Sequence, residues 1–168
     1  ALLHFAEKCQ LQTRIHEMFS GALVNITEHK PVQHMAARTP DHLASIDYQK
    51  LSAFAESVRR NPNITTLVNL GIGGSDLGPK MVTQALAGFH DGPVCHFVGN
   101  ICPTDLHDVL VTCDPHKTLF IVASKTFTTT ETIANAMMAK HWLNRHGVDV
   151  STAMLAVTAA GNRAQVRG

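Results

Sequence analysis

The 168-residue sequence has no run of charge of one sign and no low-complexity or disordered tract. Charged residues make up 16% and hydrophobic residues 45%, which are globular proportions. The formal net charge of +1 comes without a basic stripe, so nucleic acid is not an expected partner. The longest apolar runs are strand-sized and interrupted, which argues against a transmembrane helix and a membrane partner. The opening ALLHFAEKCQ has neither a basic head nor a small-residue cleavage site and does not read as a signal peptide. It starts with Ala rather than Met, and the closing AQVRG reads as the middle of a fold, so an excised segment is the expectation.

Cysteine is sparse and unpatterned. Cys9, Cys95, Cys102 and Cys113 form no CxxC pair and no regular framework, which fits reduced thiols and a cytoplasmic location. Histidine is plentiful, at 11, and seven Cys or His fall between His90 and His116. No HExxH or CxxC spacing brings them together, so they read as scattered surface and core residues and no metal is expected.

A chain of this length forms one domain, or one domain with a helical extension, and buries roughly 70% of its unfolded surface. Residues 2–19 read as helical, with Leu2, Phe5, Cys9, Ile15, Met18 and Phe19 at helical spacings. The stretch 21–40 is irregular, punctuated by Gly21, Pro31 and Pro40. Asp41 reads as the N-cap of a long helix with Leu43, Ile46, Leu51, Phe54 and Val58 on one face, and Asn61-Pro62 stops it. The period then changes. Apolar strands at 65–71, 93–98, 118–123 and 153–158 alternate with helical stretches near 78–88, 104–112 and 129–146. This pattern predicts an α/β fold with a parallel sheet covered on both faces and its strand C-termini along one ligand-binding edge. In the helix at 129–146, Ile133, Met137, Met138 and Trp142 read as the buried side and Gly147 as the C′ residue.

Two strand-to-helix corners carry the chemistry. In Leu67–Pro79 (LVNLGIGGSDLGP), Gly71, Gly73 and Gly74 permit a sharp turn and a close backbone approach, and Ser75 adds a hydroxyl. Asp76 reads as a cap, and Pro79 suits the first turn of the following helix. The dinucleotide fingerprint GxGxxG fails because Asp76 stands where the third glycine belongs, and no P-loop GxxxxGK[ST] is present. A phosphate or sugar site and a merely tight turn are the two readings of this corner. In Leu119–Thr132 (LFIVASKTFTTTET), Lys125 and the hydroxyls of Ser124, Thr126, Thr128, Thr129 and Thr130 surround a helix start. A phosphate monoester needs several donors at once, whereas capping a helix needs one hydroxyl. The second corner therefore reads as an anion site. Glu131 would either accept a sugar hydroxyl or stabilise the first helical turn. Glu28, His34 and Arg38, in the irregular stretch, are weaker candidates to fold over the site.

Both corners, in this order and at this separation, resemble the glucose-6-phosphate isomerase family. VNLGIGGSDLGP is similar to that family's first phosphate-side loop and LFIVASKTFTTTET to its second. HFVGN, TDLHDVL and the upstream MFSGALVNITEHKPVQHMAAR are similar as well. Three departures stand out. Thr130 replaces the usual Gln, Lys30-Pro31-Val32-Gln33 replaces Arg-Ala-Val-Leu, and Cys102-Pro103 replaces the common Asp-Gly.

The resemblance implies a three-layer αβα sugar-isomerase domain over 63–168, incomplete at its C-terminal end, preceded by a helical extension over 1–62. It implies that Gly74, Ser75, Ser124, Lys125, Thr126 and Thr129 bind the phosphate of glucose 6-phosphate or fructose 6-phosphate, with Glu131 near the substrate. It implies an aldose–ketose isomerase of glycolysis and gluconeogenesis, cytoplasmic, homodimeric when complete, and needing no cofactor. The family's general base, ring-opening histidine and later lysine belong to sequence beyond Gly168, so no catalytic residue is assignable in this segment. It would be inactive alone. A non-catalytic sugar-phosphate-binding regulatory domain is the alternative, and an isomerase of another phosphosugar is a third reading.

Overall fold

A computed structural model describes residues 2–27 and 29–159. The chain divides into two compact units, Ala1–Ala55 and Glu56–Gly168.

In the first unit the predicted helix over 2–19 is two helices, α1 (Leu2–Lys8) and α2 (Leu11–Phe19). Gln10, at φ 51°, sits in the left-handed region and breaks the run. The apolar spacing continues through the break, which is why the pattern reads as one helix. Residues 20–27 and 29–35 are largely irregular, with an antiparallel bridge between Asn25 and Lys30. The long helix expected from Asp41 is also divided. Thr39, not Asp41, is the N-cap of a short α3 (Pro40–Leu43), its hydroxyl accepting from the His42 N–H at 3.4 Å. The longer α4 (Ile46–Arg60) then runs to the Asn61-Pro62 stop.

The second unit is built on β1 (Thr66–Leu70), α5 (Leu77–Ala85), β2 (Val94–Val98), α6 (Pro103–Leu110), β3 (Thr118–Ala123), α7 (Thr130–Arg145), α8 (Val150–Ala153) and β4 (Met154–Val157). All four strands pair in parallel in the order β2-β1-β3-β4. Right-handed crossovers put α5 on one face of this sheet and α6 and α7 on the other. The dense core lies on the α6–α7 face, where Val68, Leu70, Val98, Phe120 and Val122 pack against Leu106, Ala139 and Leu143. The last turn of α4 belongs to this unit. There Arg59 makes ion pairs with Glu56 and with Asp91 ahead of β2.

α7 ends as its sequence predicts. Gly147, at φ +70°, follows the helix, and the N–H groups of Gly147 and Val148 return to the carbonyls of Asn144 and Leu143 at 3.1 Å each. Its buried stripe differs from the expectation. Thr132, Asn135, Ala139 and Leu143 are buried, Ile133, Met138 and Trp142 are half-buried against the core, and Met137 is exposed. A stripe that starts with two polar residues is invisible to a hydrophobic period.

Among the described residues no helix is long and apolar enough to cross a membrane, and no three or more His, Cys, Asp or Glu side chains converge as metal ligands.

Candidate functional site

The strand order places the two corners side by side. β1 connects outward to β2 on one flank, and the chain then crosses to β3 on the other, so the carboxyl ends of β1 and β3 form the switch point of the sheet. In the parallel register Leu70 lies opposite Val122, so Gly71, just past the end of β1, stands level with Ala123, the last residue of β3. A Cβ built on Gly71 would stand 3.1 Å from the Ala123 carbonyl oxygen and 2.9 Å from the Ser75 Cβ. Only glycine allows that approach.

The first corner turns through a single 3₁₀ turn, Gly73–Ser75, with Gly73 at φ +57°. Gly74 is exposed and Ser75 half-buried. Asn69, a buried polar residue within β1, donates its Nδ2 to the Ser75 carbonyl at 2.9 Å and braces the loop from below. A polar residue inside an apolar strand is the sequence signal for this brace, and the motif reading passed over it. Asp76 occupies the N-cap position of α5 but makes no side-chain cap bond. Its buried carboxyl instead packs on the loop after β2, where a Cβ on Gly99 would meet Asp76 Oδ2 at 2.7 Å. The cap reading of Asp76 is corrected accordingly.

The second corner leaves β3 at Ser124, which is 3% exposed. The Ser124 N–H extends the pairing with β4 by donating to the Val157 carbonyl at 3.0 Å. Its hydroxyl donates to Thr129 Oγ1 at 3.2 Å and closes the loop across its two ends. Lys125 and Thr126 are exposed, and the Thr126 and Thr128 hydroxyls are 2.7 Å apart. The Lys125 carbonyl accepts from the Ala159 N–H at 3.1 Å and the Thr158 hydroxyl at 3.2 Å, which ties the loop to the segment after β4. Thr129 is the N-cap residue of α7 yet makes no side-chain cap bond. The N-cap side chain therefore does not occupy the first turn of this 16-residue helix, whose N–H groups and positive end can receive an anion. Glu131 lies half-buried in that first turn.

Ser124 and Thr129 are thus brought together directly, and Gly71 and Ala123 set the two corners beside each other. Glu28 lies outside the described residues. His34 and Arg38 belong to the first unit, where the Arg38 guanidinium donates to the His34 carbonyl at 2.5 Å. A separate cleft of about 690 Å³, with walls including Val122, Phe127, Ile133, Met137 and Met154, contains none of Ser75, Ser124, Lys125, Thr126 and Thr129. Its walls are mostly apolar, with Lys140, Asp149 and Ser151 as their charged and polar members, and they lie outside the two loops that carry the motif chemistry. The polar corners, not this cleft, are the candidate site.

Two buried residues beside the site also escaped the motif reading. Asn135, fully buried in α7, donates Nδ2 to the Asn100 carbonyl at 2.7 Å and so joins the helix of the second corner to the loop after β2. Phe127, 7% exposed, is the apolar residue of an otherwise polar loop and has φ +53°.

Comparison with known proteins shows the family. The sequence model of the family described as phosphoglucose isomerase matches residues 1–168. A glucose-6-phosphate isomerase from a Ruegeria species is 43% identical over 99% of this chain and 35% of its own length. That of Bartonella quintana is 45% identical over 79% of this chain and 27% of its own. Among solved structures, a glucose-6-phosphate isomerase from Chlamydia trachomatis superimposes with a TM-score of 0.76 at 31% identity, over 91% of this chain and 33% of that one. The chain spans about a third of the length of the curated relatives it matches end to end. With a match along its whole length and this arrangement of corners, the chain belongs to the phosphoglucose isomerase family.

Proposed function

We propose that this segment forms the sugar-phosphate anchor of an aldose–ketose isomerase that interconverts glucose 6-phosphate and fructose 6-phosphate. The observation that carries the reading is the start of α7, whose N-cap makes no side-chain cap bond and which follows the loop of Ser124, Lys125, Thr126 and Thr129, with the Gly73–Ser75 turn leaving the neighbouring strand at the sheet's switch point. A phosphate dianion there accepts from helix N–H groups and hydroxyls while Lys125 supplies formal positive charge.

The reaction opens the sugar ring, removes the proton at C2 and returns one at C1 through an enediolate. It needs a base, an acid and positive field near the developing oxyanion. This segment's contribution is binding energy at the non-reacting end, which fixes C1 and C2 for groups held elsewhere in the longer protein. Glu131, in the first turn of α7, is the residue here nearest in sequence to the phosphate loop that could accept a sugar hydroxyl. The sugar-isomerase domain is assigned to 63–168 and the helical extension to 1–62. The four unpaired thiols favour a reducing, cytoplasmic setting, and a homodimer is the proposed state of the complete enzyme.

The test is steady-state kinetics of the full-length protein carrying Lys125→Ala or Ser124→Ala. Loss of a charge-assisted hydrogen bond of roughly 1.5–3 kcal/mol predicts that kcat/KM for glucose 6-phosphate falls about 10- to 150-fold. Variants that turn over at the wild-type rate at every substrate concentration would refute the assignment.

A further inference from the structure

The loop Ser124–Thr129 contains one residue that its polar chemistry does not explain. Its neighbours Lys125, Thr126 and Thr128 are exposed, while Phe127 is 7% exposed and belongs to the same buried cluster as Val122 and Leu143. Its backbone, at φ +53°, lies in the left-handed region, which bulky L residues rarely enter. Nothing in the sequence makes this local conformation favourable, since neither Gly nor Asn is present in the loop. The conformation must therefore be held by contacts, and the burial of the ring is the apolar one, beside the Ser124–Thr129 and Thr126–Thr128 hydroxyl bonds and the tie of the Lys125 carbonyl to the segment after β4.

We propose that Phe127 is a positioning residue for the second corner. Its buried ring fixes the loop in a left-handed turn that the polar residues alone would not adopt. With the ring directed into the core, the chain on either side turns outward and presents Thr126 and Thr128, whose hydroxyls stand 2.7 Å apart. A single left-handed residue within a turn also swings successive N–H groups toward one side, the arrangement that receives anions. The role rests on the reading of this loop as the phosphate site. It goes beyond that reading by naming the residue that shapes the site without touching the ligand.

The experiment is calorimetric titration of the full-length protein with inorganic phosphate and with glucose 6-phosphate, reading the dissociation constant and stoichiometry together. A merely structural residue lowers stoichiometry and thermal midpoint but leaves the dissociation constant of the folded molecules unchanged. Phe127→Gly accepts the left-handed backbone without strain but removes the ring. It is expected to bind phosphate about tenfold or more weakly, the equivalent of one lost charge-assisted hydrogen bond. Phe127→Leu keeps buried apolar volume and is expected to bind within about threefold of wild type, since cores tolerate such swaps.

Wild-type affinity in Phe127→Gly, or affinity in Phe127→Leu as weak as in Phe127→Gly, would overturn the proposal. If Phe127→Gly does not fold, Phe127→Val decides. Its β-branch opposes the left-handed region, so it should bind about tenfold more weakly than Phe127→Leu, and equal affinities would overturn the proposal. Lys125→Ala separates the two levels of the argument. Unchanged affinity there refutes the phosphate reading and this proposal with it. Weakened affinity with a wild-type Phe127→Gly refutes the role of the ring alone.

Discussion

Gly71→Ala isolates the contact that holds the two corners together. Gly71 follows the last residue of β1, and its φ lies outside the left-handed region, so the substitution adds no backbone strain and acts only through the new methyl group. That methyl carbon would stand 2.9 Å from Ser75 Cβ, 3.0 Å from the Ser75 carbonyl oxygen and 3.1 Å from the Ala123 carbonyl oxygen. Each distance is 0.3–0.5 Å inside the 3.4 Å at which ordinary contact begins. Two of the three atoms are main-chain oxygens, one in each corner, so no side-chain rotation relieves the overlap. Overpacking of this kind costs about 1–3 kcal/mol, and relief requires β1 and β3 to part where the corners begin. A displacement approaching an ångström in a positioning loop costs on the order of 100-fold in turnover. Urea denaturation of the full-length protein should show the stability loss, and kcat/KM for glucose 6-phosphate should fall by more than that loss explains. Gly74→Ala is the control for stability alone. A Cβ there meets nothing within 4 Å, and the expected change is within about 0.5 kcal/mol. A Gly71→Ala protein as stable as Gly74→Ala would refute the close-approach argument.

Gly99→Ala places a methyl group 2.7 Å from Asp76 Oδ2 and 2.8 Å from its Cγ, so it should destabilise the protein. The loss should be partly relieved in Gly99→Ala/Asp76→Ala, with a coupling of about 0.5–3 kcal/mol in a denaturation cycle; strict additivity would contradict the packing described. Asp149, the N-cap of α8, accepts from the Ser151 N–H and the Ser151 hydroxyl at 2.9 Å each, and these bonds hold its pKa below the usual carboxylate value, the backbone N–H contributing most. A depressed folded pKa means stabilisation that is complete above the unfolded value and lost as pH falls through the folded one. A carboxyl NMR titration should therefore give Asp149 a pKa below that of a model peptide, and Ser151→Ala, which removes the hydroxyl donor but keeps the N–H, should raise it partway.

The parallel sheet was legible because continuous runs such as LVNL and LFIVA, separated by helical stretches, suit strands buried on both faces. Both strand-to-helix corners were legible because Gly71, Gly73 and Gly74 mark a sharp turn after one apolar strand and the polar run around Lys125 interrupts the apolar pattern after another. The details beneath them were not. Hydrophobic spacing passed straight through Gln10, where a backbone angle and not a side chain breaks the helix. It also assigned Met137 to the core of α7, because the true stripe begins with the polar residues Thr132 and Asn135, the second of them bonded to Asn100 in the loop after β2. Asp76 read as a cap from its position, yet its carboxyl faces Gly99, a residue 23 positions later that only the fold brings near. Phe127 was overlooked because the loop was read for its donors, whereas the residue's contribution is a backbone angle.

The most direct test of the account is an amide NMR titration of the full-length protein with glucose 6-phosphate, using Lys125→Ala as the control. The account predicts saturable shifts concentrated at Gly73–Ser75 and Ser124–Glu131, both clusters following one binding curve and both weakened by Lys125→Ala. Shifts confined to one corner, or a saturating ligand that leaves both corners unmoved, would contradict the claim that the two corners hold a single phosphate between them.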